Sequence, residues 1–360
     1  MKTTKRIYVD LHVIQTVPPS CVNRDDTGSP KTAIYGGVKR ARVSSQSWKK
    51  AIRDMFREEL DESEMGIRTK KIVELVSQEI CKIDSKIAQD KAFELAEKAV
   101  NACGIKTKDG EAKALFFLGV KQAQNLAKLI LENDKLTKKE TEKLLTKGHS
   151  IDIALFGRMV ADDPSLNADA SAQVAHSIST HKIENEYDYF TAVDDMAPKD
   201  NAGAGMIGVV EFNSSTLYRY ATVAVHELNE ELAGEREAVK KAVVTFAKAF
   251  ITSMPTGKQN TFANRTLPDA VMVTIRADQP INMVGAFEDP IKAGQEGYAQ
   301  KSINALLNYA DEVYSTFAEK PEKTWFIGPK CEKKDMEQVR LSVFLDELGN
   351  AIDAELSAKK

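Results

Sequence analysis

The sequence predicts an α+β fold, a split βαβ sheet of the ferredoxin type carrying a helical insertion and a projecting arm. Residues 5–14 place Ile7, Val9, Leu11 and Val13 at alternate positions, the period of a strand with one buried face. Residues 58–150 read instead as successive amphipathic segments of 3.6-residue period, so a block of helices interrupts a strand-built domain. Downstream, SSTLYRYATVAV and VMVTIRA have strand character, and between them GEREAVKKAVVTFAKAFITSM is an amphipathic helix ended by Pro255.

After the first strand, PPSCVNRDDTGSP is a loop by its Pro, Asn, Asp and Gly content. It sets Arg24 beside Asp25 and Asp26. Such carboxylates suit turn capping and pairing with Arg24, or else a metal or acid–base pair. Residues 31–57 then carry Lys31, Lys39, Arg40, Arg42, Lys49, Lys50, Arg53 and Arg57 against a single acid, Asp54. Gly36 and Gly37 supply a turn, because glycine reaches positive φ without steric cost. Ser44 and Ser45 offer N-caps for a helix beginning near Gln46. On that helix Trp48, Ala51, Ile52, Met55 and Phe56 share one face, and Gln46, Lys49, Lys50, Arg53 and Arg57 share the other. No acid is expected among the i, i+4 partners of its lysines, an order that suits anion binding better than a solvated face.

In 151–181, AQVAHSISTHKI reads as a strand that puts His176 and His181 on opposite faces, which disfavours a joint metal site. Residues 182–210 form an excursion from the sheet, an arm or hairpin, entered through Tyr187, Tyr189 and Phe190 as core anchors or an exposed wedge. Asp194 and Asp195 are read as a turn or salt bridge. HELNEE lacks the second histidine of a zincin, and the loop with Gly257 and Lys258 lacks the first glycine of a P-loop. That loop, with Lys258 and Gln259, suits contact with a phosphate backbone. Residues 296–318 and 334–357 are terminal helices.

Length, 42% hydrophobic and 29% charged residues mark a globular chain, and a net charge of −3 argues against indiscriminate polyanion binding. The cysteines at 21, 81, 103 and 331 are far apart with no CxxC, so neither a zinc site nor a disulfide framework is expected. No cofactor is implied. No signal peptide or membrane span is read, and reduced cytoplasm is the expected compartment.

Taken together, PSCVNRDD, AIYGG, RVSSQSxKKAxR, DIALFGRM, AHSISTHKIENEYDYFTAVDD, SSTLYRYA and GKQNTFA, in this order, resemble the CasC family. That family is the backbone subunit of the type I-E CRISPR Cascade complex. The likeness spans about residues 5–275; the helical block and the C-terminal third match in character only. It implies a modified RRM-like palm in residues 1–57 and 151–360, helical fingers in 58–150 and a thumb at about 182–210. The usual RNP aromatic signature is absent, so stacking on the sheet is not implied.

It also implies a non-catalytic, polymerising protein bound to CRISPR RNA. The guide would pair with target DNA while the protein holds backbone. Partners would be further copies and the large, small and crRNA-processing subunits, with no membrane. By this resemblance Arg24, Lys31, Ser44, Gln46, Lys49, Lys50 and Arg53 contact the RNA backbone, and Arg158, Met159 and Phe190 flank a displaced nucleotide. Asn260 stands where the family's loop would carry a further cation. Related type III backbone subunits cut RNA with an aspartate after the first strand, which leaves Asp25 or Asp26 as an endoribonuclease alternative.

Overall fold

The structure, a computed structural model, describes residues 5–357 other than 134–136, 161–162, 193–194, 197–205, 296, 331–332 and 334–335. The arm's tip and Asp194 therefore lie outside the described residues. A large mixed sheet organises the chain. Its strands are β1 (Tyr8–Ser20), β2 (Thr32–Tyr35), β3 (Val38–Val43), β4 (Ala172–Val174), β5 (Ser177–Ser179), β6 (Glu186–Ala192), β7 (Met206–Ala224), β8 (Ala270–Arg276), β9 (Lys323–Ile327) and β10 (Glu337–Gln338). They lie in the order β10-β9-β8-β1-β7-β5-β3-β2, with β4 and β6 also paired to β7. Strand β1 sits between β7 and β8, antiparallel to both, with Leu11 opposite Ala221 and Val273.

Helices α1 (Ser45–Glu59), α2 (Arg236–Thr252) and α4 (Leu341–Ser357) cover one face, and α3 (Ala299–Thr316) covers the other. Trp48, Ile52 and Phe56 of α1 are fully buried with Phe246 and Phe250 of α2. At roughly 1.5–3 kcal/mol for each large apolar side chain, that stripe fixes α1 more firmly than its intrinsic propensity could. Among the described residues no helix is long and apolar enough to cross a membrane.

Several expectations need correction. Strand β1 does not stop at residue 14 but runs through Pro18 and Pro19, where its register with β7 shifts between Val17 and Ser20. Proline cannot donate to a ladder, and it is tolerated where the ladder is already broken. AQVAHSISTHKI is two short strands separated by Ala175 and His176. EAKALFFLGVKQAQNLAKLILEN is not one helix: Phe116–Gly119 is a strand paired with Gly66–Thr69, and a helix Val120–Glu132 follows. Gln122 Oε1 accepts from Gly119 N at 3.2 Å, closing the helix start that the apolar run conceals. The helical block carries its own core, including Ile72, Val76, Ala96, Leu118 and Leu126.

Strand β1 was expected to have one buried face, yet Asp10 and His12 on the opposite face are also wholly buried. Tyr220 Oη donates to Asp10 Oδ1 at 3.0 Å, and Ile281 N donates to Asp10 Oδ2 at 2.9 Å. His12 Nδ1 lies 2.9 Å from Tyr218 Oη. Burial pushes the Asp10 carboxyl up from 3.8 to about 6. The folded chain therefore holds a proton there that the unfolded chain releases, so this group's stabilisation is full below 3.8 and is lost as pH rises through 6. Asp10→Asn should remove up to about 3 kcal/mol of the stability difference between about pH 4 and about pH 7, read from denaturation midpoints of both proteins.

Candidate nucleic-acid interface

Helix α1 starts where the sequence places its cap. Ser44 Oγ accepts from Ser47 N at 3.3 Å, while Ser44 N donates to Asn23 Oδ1 at 2.9 Å and so joins the cap to the Arg24 loop. The Ser44 hydroxyl is thus turned into the helix start and is largely buried. Beyond it, Gln46, Lys49, Lys50, Arg53 and Arg57 line a groove of 1020 Å³ whose opposite wall is Glu62, Met65, Gly66, Ile67 and Arg68. The cations are held rather than free. Lys49 Nζ lies 5.9 Å from the Phe156 ring centroid, and Arg53 and Arg68 lie 4.5 and 4.9 Å from that of Phe117. Burial lowers the pKa of Lys49 and, as the largest of several causes, that of Arg53. Groups whose charged forms are under-solvated gain when an anion arrives.

Two α1 cations already have acidic partners. Lys50 pairs with Asp54 at 2.6 Å, an i, i+4 bridge that the expectation for this helix overlooked. Arg53 Nη2 lies 3.5 Å from Asp152 Oδ2, and Asp152 Oδ1 also accepts from Gly66 N at 2.9 Å and Ser150 Oγ at 2.7 Å. Arg53 is therefore both a wall of the groove and a brace to the strand Gly66–Thr69.

On the other flank of α1 a second cleft, of 590 Å³, is lined by Arg24, Asp25, Asp26, Lys50, Asp54, Gln259 and Arg265, among others. Its far wall is the 253–265 loop. Gly257 approaches the first loop so closely that a Cβ there would lie 2.0 Å from the Val22 carbonyl oxygen. Lys258 and Ala263 take left-handed φ of 49° and 45° around the short turn Gln259–Phe262. Lys258 thus borders the turn while Gln259 lines the cleft. Lys31 stands partly exposed near the end of the Arg24 loop, its N donating to Asn23 O at 2.8 Å. Asp25 Oδ1 accepts from Thr27 N, Thr27 Oγ1 and Ser29 N at 3.0, 2.7 and 3.0 Å. Those bonds, led by the Thr27 hydroxyl, hold its carboxyl below the usual range.

The remaining predicted positions separate. Arg158 does not reach a solvent-facing site: it is 4% exposed, and its guanidinium donates to the carbonyls of Leu166, Phe117 and Leu145 at 2.9, 3.2 and 2.7 Å. Three carbonyls in place of water make it a staple between the helical block and the chain that leaves it. Met159 next to it is 81% exposed. Phe190 lies on a two-stranded ribbon, β6 against the first residues of β7, and stands opposite Gly208. A Cβ on Gly208 would meet its ring at 2.3 Å, so the ring lies across the glycine. Tyr187 and Tyr189 are exposed on the same ribbon, the wedge reading rather than the core one. His176 lies 3.2 Å from Arg42 Nη1, whereas His181 stacks on Tyr298 with ring centroids 3.7 Å apart. Arg40, one of the basic run, is buried and bonded to the carbonyls of Ser179 and Phe287 at 3.0 and 2.9 Å.

Arg68 and Arg265 were missed. Arg68 sits on a short strand inside a block read as helical. Arg265 gains significance only once the chain folds back against the Arg24 loop. Gly257→Ala should drive the two loops apart and cost about 1–3 kcal/mol in thermal or urea unfolding.

The family model described as "CT1975-like protein" matches residues 9–351. No match is found among curated proteins. One solved chain from a "CRISPR RNA-guided surveillance complex, pre-nicking" is 32% identical with a TM-score of 0.83, covering 96% of this chain and 100% of that one. Another, from a "CRISPR RNA-guided surveillance complex", is 28% identical with a TM-score of 0.70, covering 98% of this chain and 99% of that one. With a family match over nearly its whole length, built on the same fold as these chains, the protein belongs to the CT1975-like protein family.

Proposed function

We propose that this chain is a non-catalytic backbone subunit of a type I-E CRISPR surveillance complex, of the CasC kind. It polymerises along CRISPR RNA, kinks it at intervals and presents guide segments to target DNA in antiviral defence. The carrying observation is the groove beside α1, where Gln46, Lys49, Lys50, Arg53, Arg57 and Arg68 converge along one wall-to-wall track. A polyanion neutralises such a row and releases its counterions, which makes binding steeply salt-dependent. The full-length likeness to surveillance-complex chains supports the assembly. In this reading the sheet with α1 and α2 is an RRM-like palm, the helical block is the fingers and the β6–β7 ribbon is the thumb. Its partners are CRISPR RNA, further copies of the chain, and the large, small and RNA-processing subunits.

A non-catalytic role is supported by the spending of Asp25 Oδ1 on its own turn. Asp25→Ala and Asp26→Ala should leave labelled target RNA uncut in the presence of Mg²⁺, as in the parent. Cleavage by the parent, lost in either variant, would establish the endoribonuclease alternative instead.

The RNA reading is tested at cations that do not pair with the buried Asp152. Lys49→Gln, Lys50→Gln and Arg57→Gln combined should abolish co-purification of guide RNA while the variant still unfolds in one cooperative transition, its stability lowered by no more than about 1–2 kcal/mol through loss of the Lys49–Phe156 contact and the Lys50–Asp54 bridge. Normal amounts of guide RNA on that variant would sink the proposal. Arg53→Glu is the wrong test, because it faces the buried Asp152 carboxylate and would destabilise the junction as well.

A further inference from the structure

Two cations early in the basic run differ from those on α1 in having no acid to answer them. Lys50 and Arg53 pair with Asp54 and Asp152, whereas among the described residues no carboxylate forms an ion pair with Lys31 or Arg42. Arg42 N donates to Lys31 O at 2.9 Å, which extends the ladder of β2 and β3 by one pair and sets the two residues directly opposite. Like charges so placed repel. The Arg42 guanidinium is nevertheless held there: its Nε donates to Thr32 O at 3.1 Å and its Nη1 meets His176 Nδ1 at 3.2 Å. Such a pair costs stability in the free chain and suits an anion from outside.

The bond to Arg42 also fixes the state of His176. A guanidinium only donates, so Nδ1 is the acceptor and the ring is neutral, with its proton on Nε2. Partial burial, then the charges of Arg42 and Lys31, hold the ring's pKa below the usual histidine value. Those are the charged groups that act on it, one from β3 and one from the residue before β2, and no carboxylate is among them. The residue is exposed, so a ligand can reach the ring. An anion set against Arg42 and Lys31 reverses the balance, because it cancels the two repelling charges and accepts from the ring, favouring imidazolium.

Position narrows which anion this is. The ladder of β3 and β5 ends with Val43 opposite Ser177, so the next residues on the two strands are Ser44, the cap of α1, and His176. The cluster therefore stands at the end of α1 from which the cations Lys49, Lys50 and Arg57 run on. A single carboxylate would answer one of these groups; a chain of phosphates answers cations spread over both.

We infer that Lys31, Arg42 and His176 form a phosphate subsite for the RNA backbone in which His176 takes up a proton as the phosphate binds, so that RNA affinity is set in part by pH. The inference rests on the RNA-binding reading above and adds a proton to the binding reaction. The phosphodiester itself stays ionised throughout. The bound state holds the proton more firmly than the free one, so the added affinity is full below the free histidine's pKa and is lost as pH rises through that of the bound form.

The test measures binding of one single-stranded RNA oligonucleotide by the full-length chain at constant ionic strength. The parent should lose about 3- to 10-fold in affinity between about pH 5.5 and about pH 7.5. His176→Gln keeps an acceptor for Arg42 but cannot titrate; it should shrink that loss to within about 2-fold, match the parent at the higher pH and keep its melting temperature there. Calorimetry in buffers of different ionisation enthalpy should show proton uptake on RNA binding by the parent, reduced in the variant. The same pH dependence and proton uptake in both proteins would overturn the inference, as would an equal loss of affinity by the variant at both pH values. Proton uptake from sodium sulfate alone, with none further on adding RNA, would overturn it in favour of a free oxyanion. Self-association without RNA that depends on His176 would overturn it in favour of carboxylates on a second copy. A parent that binds no RNA at either pH would instead defeat the proposed function itself.

Discussion

Arg219 reaches from β7 into the layer between sheet and helices, where its guanidinium carbon lies 3.8 Å from the Trp48 ring centroid and 4.7 Å from that of Phe250. It donates to Gln15 Oε1 and to the Phe250 carbonyl. Burial pulls its pKa down to about 9. Two aromatic faces and two neutral acceptors replace water around the charge, an arrangement worth about 2 kcal/mol or more per desolvated ring contact. Trp48 Nε1 donates to Ser177 Oγ at 2.9 Å, so the same ring also joins α1 to β5. Rotation of α1 about its axis would break both contacts. The direction in which Lys49, Lys50 and Arg57 point is therefore set from beneath.

The helical block is tied to this frame by buried charge as well as apolar contact. Asp152 takes donors from Gly66, Ser150 and Arg53, and Arg158 gives donors to three carbonyls around the same junction. Each group lost singly would leave partners buried and unpaired, which costs more than the interaction contributes. The second wall of the groove is consequently positioned from behind by Asp152 and Arg158, and Arg53 and Gly66 both line the groove and join that network. Arg53 has a double duty, and its conversion from exposed contact to brace follows from a distance that no linear sequence displays.

The alternation of Val9, Leu11 and Val13 and the apolar stripe of α1 were legible because each follows from a local period. The cap at Ser44 and the paired arm strands were legible for the same kind of reason. Asp10 and His12 were not, since polar residues on alternate strand positions look solvated until Tyr218, Tyr220 and Ile281 arrive from far along the chain. Arg158 was not legible either: the family resemblance sets it beside a displaced nucleotide, whereas the carbonyls that bury its guanidinium come from separate segments. Of the candidate site, the α1 cations could be read as one helix face, whereas Arg68 and Arg265 become parts of it only through long-range packing. Lys50 and Asp54 could have been found, as their spacing is the ordinary helical one.

Strand β7 is a single run from Met206 to Ala224. At about 3.3 Å per residue it spans roughly 60 Å. One end pairs only with the exposed β6, and the other carries Arg219 through the middle of the sheet. The ribbon is thus a lever arm whose fulcrum is the layer that orients α1. From the residues opposite Tyr187 and Phe190, the backbone runs to Arg219, and so to the Trp48 ring beneath the cations, with no loop in between.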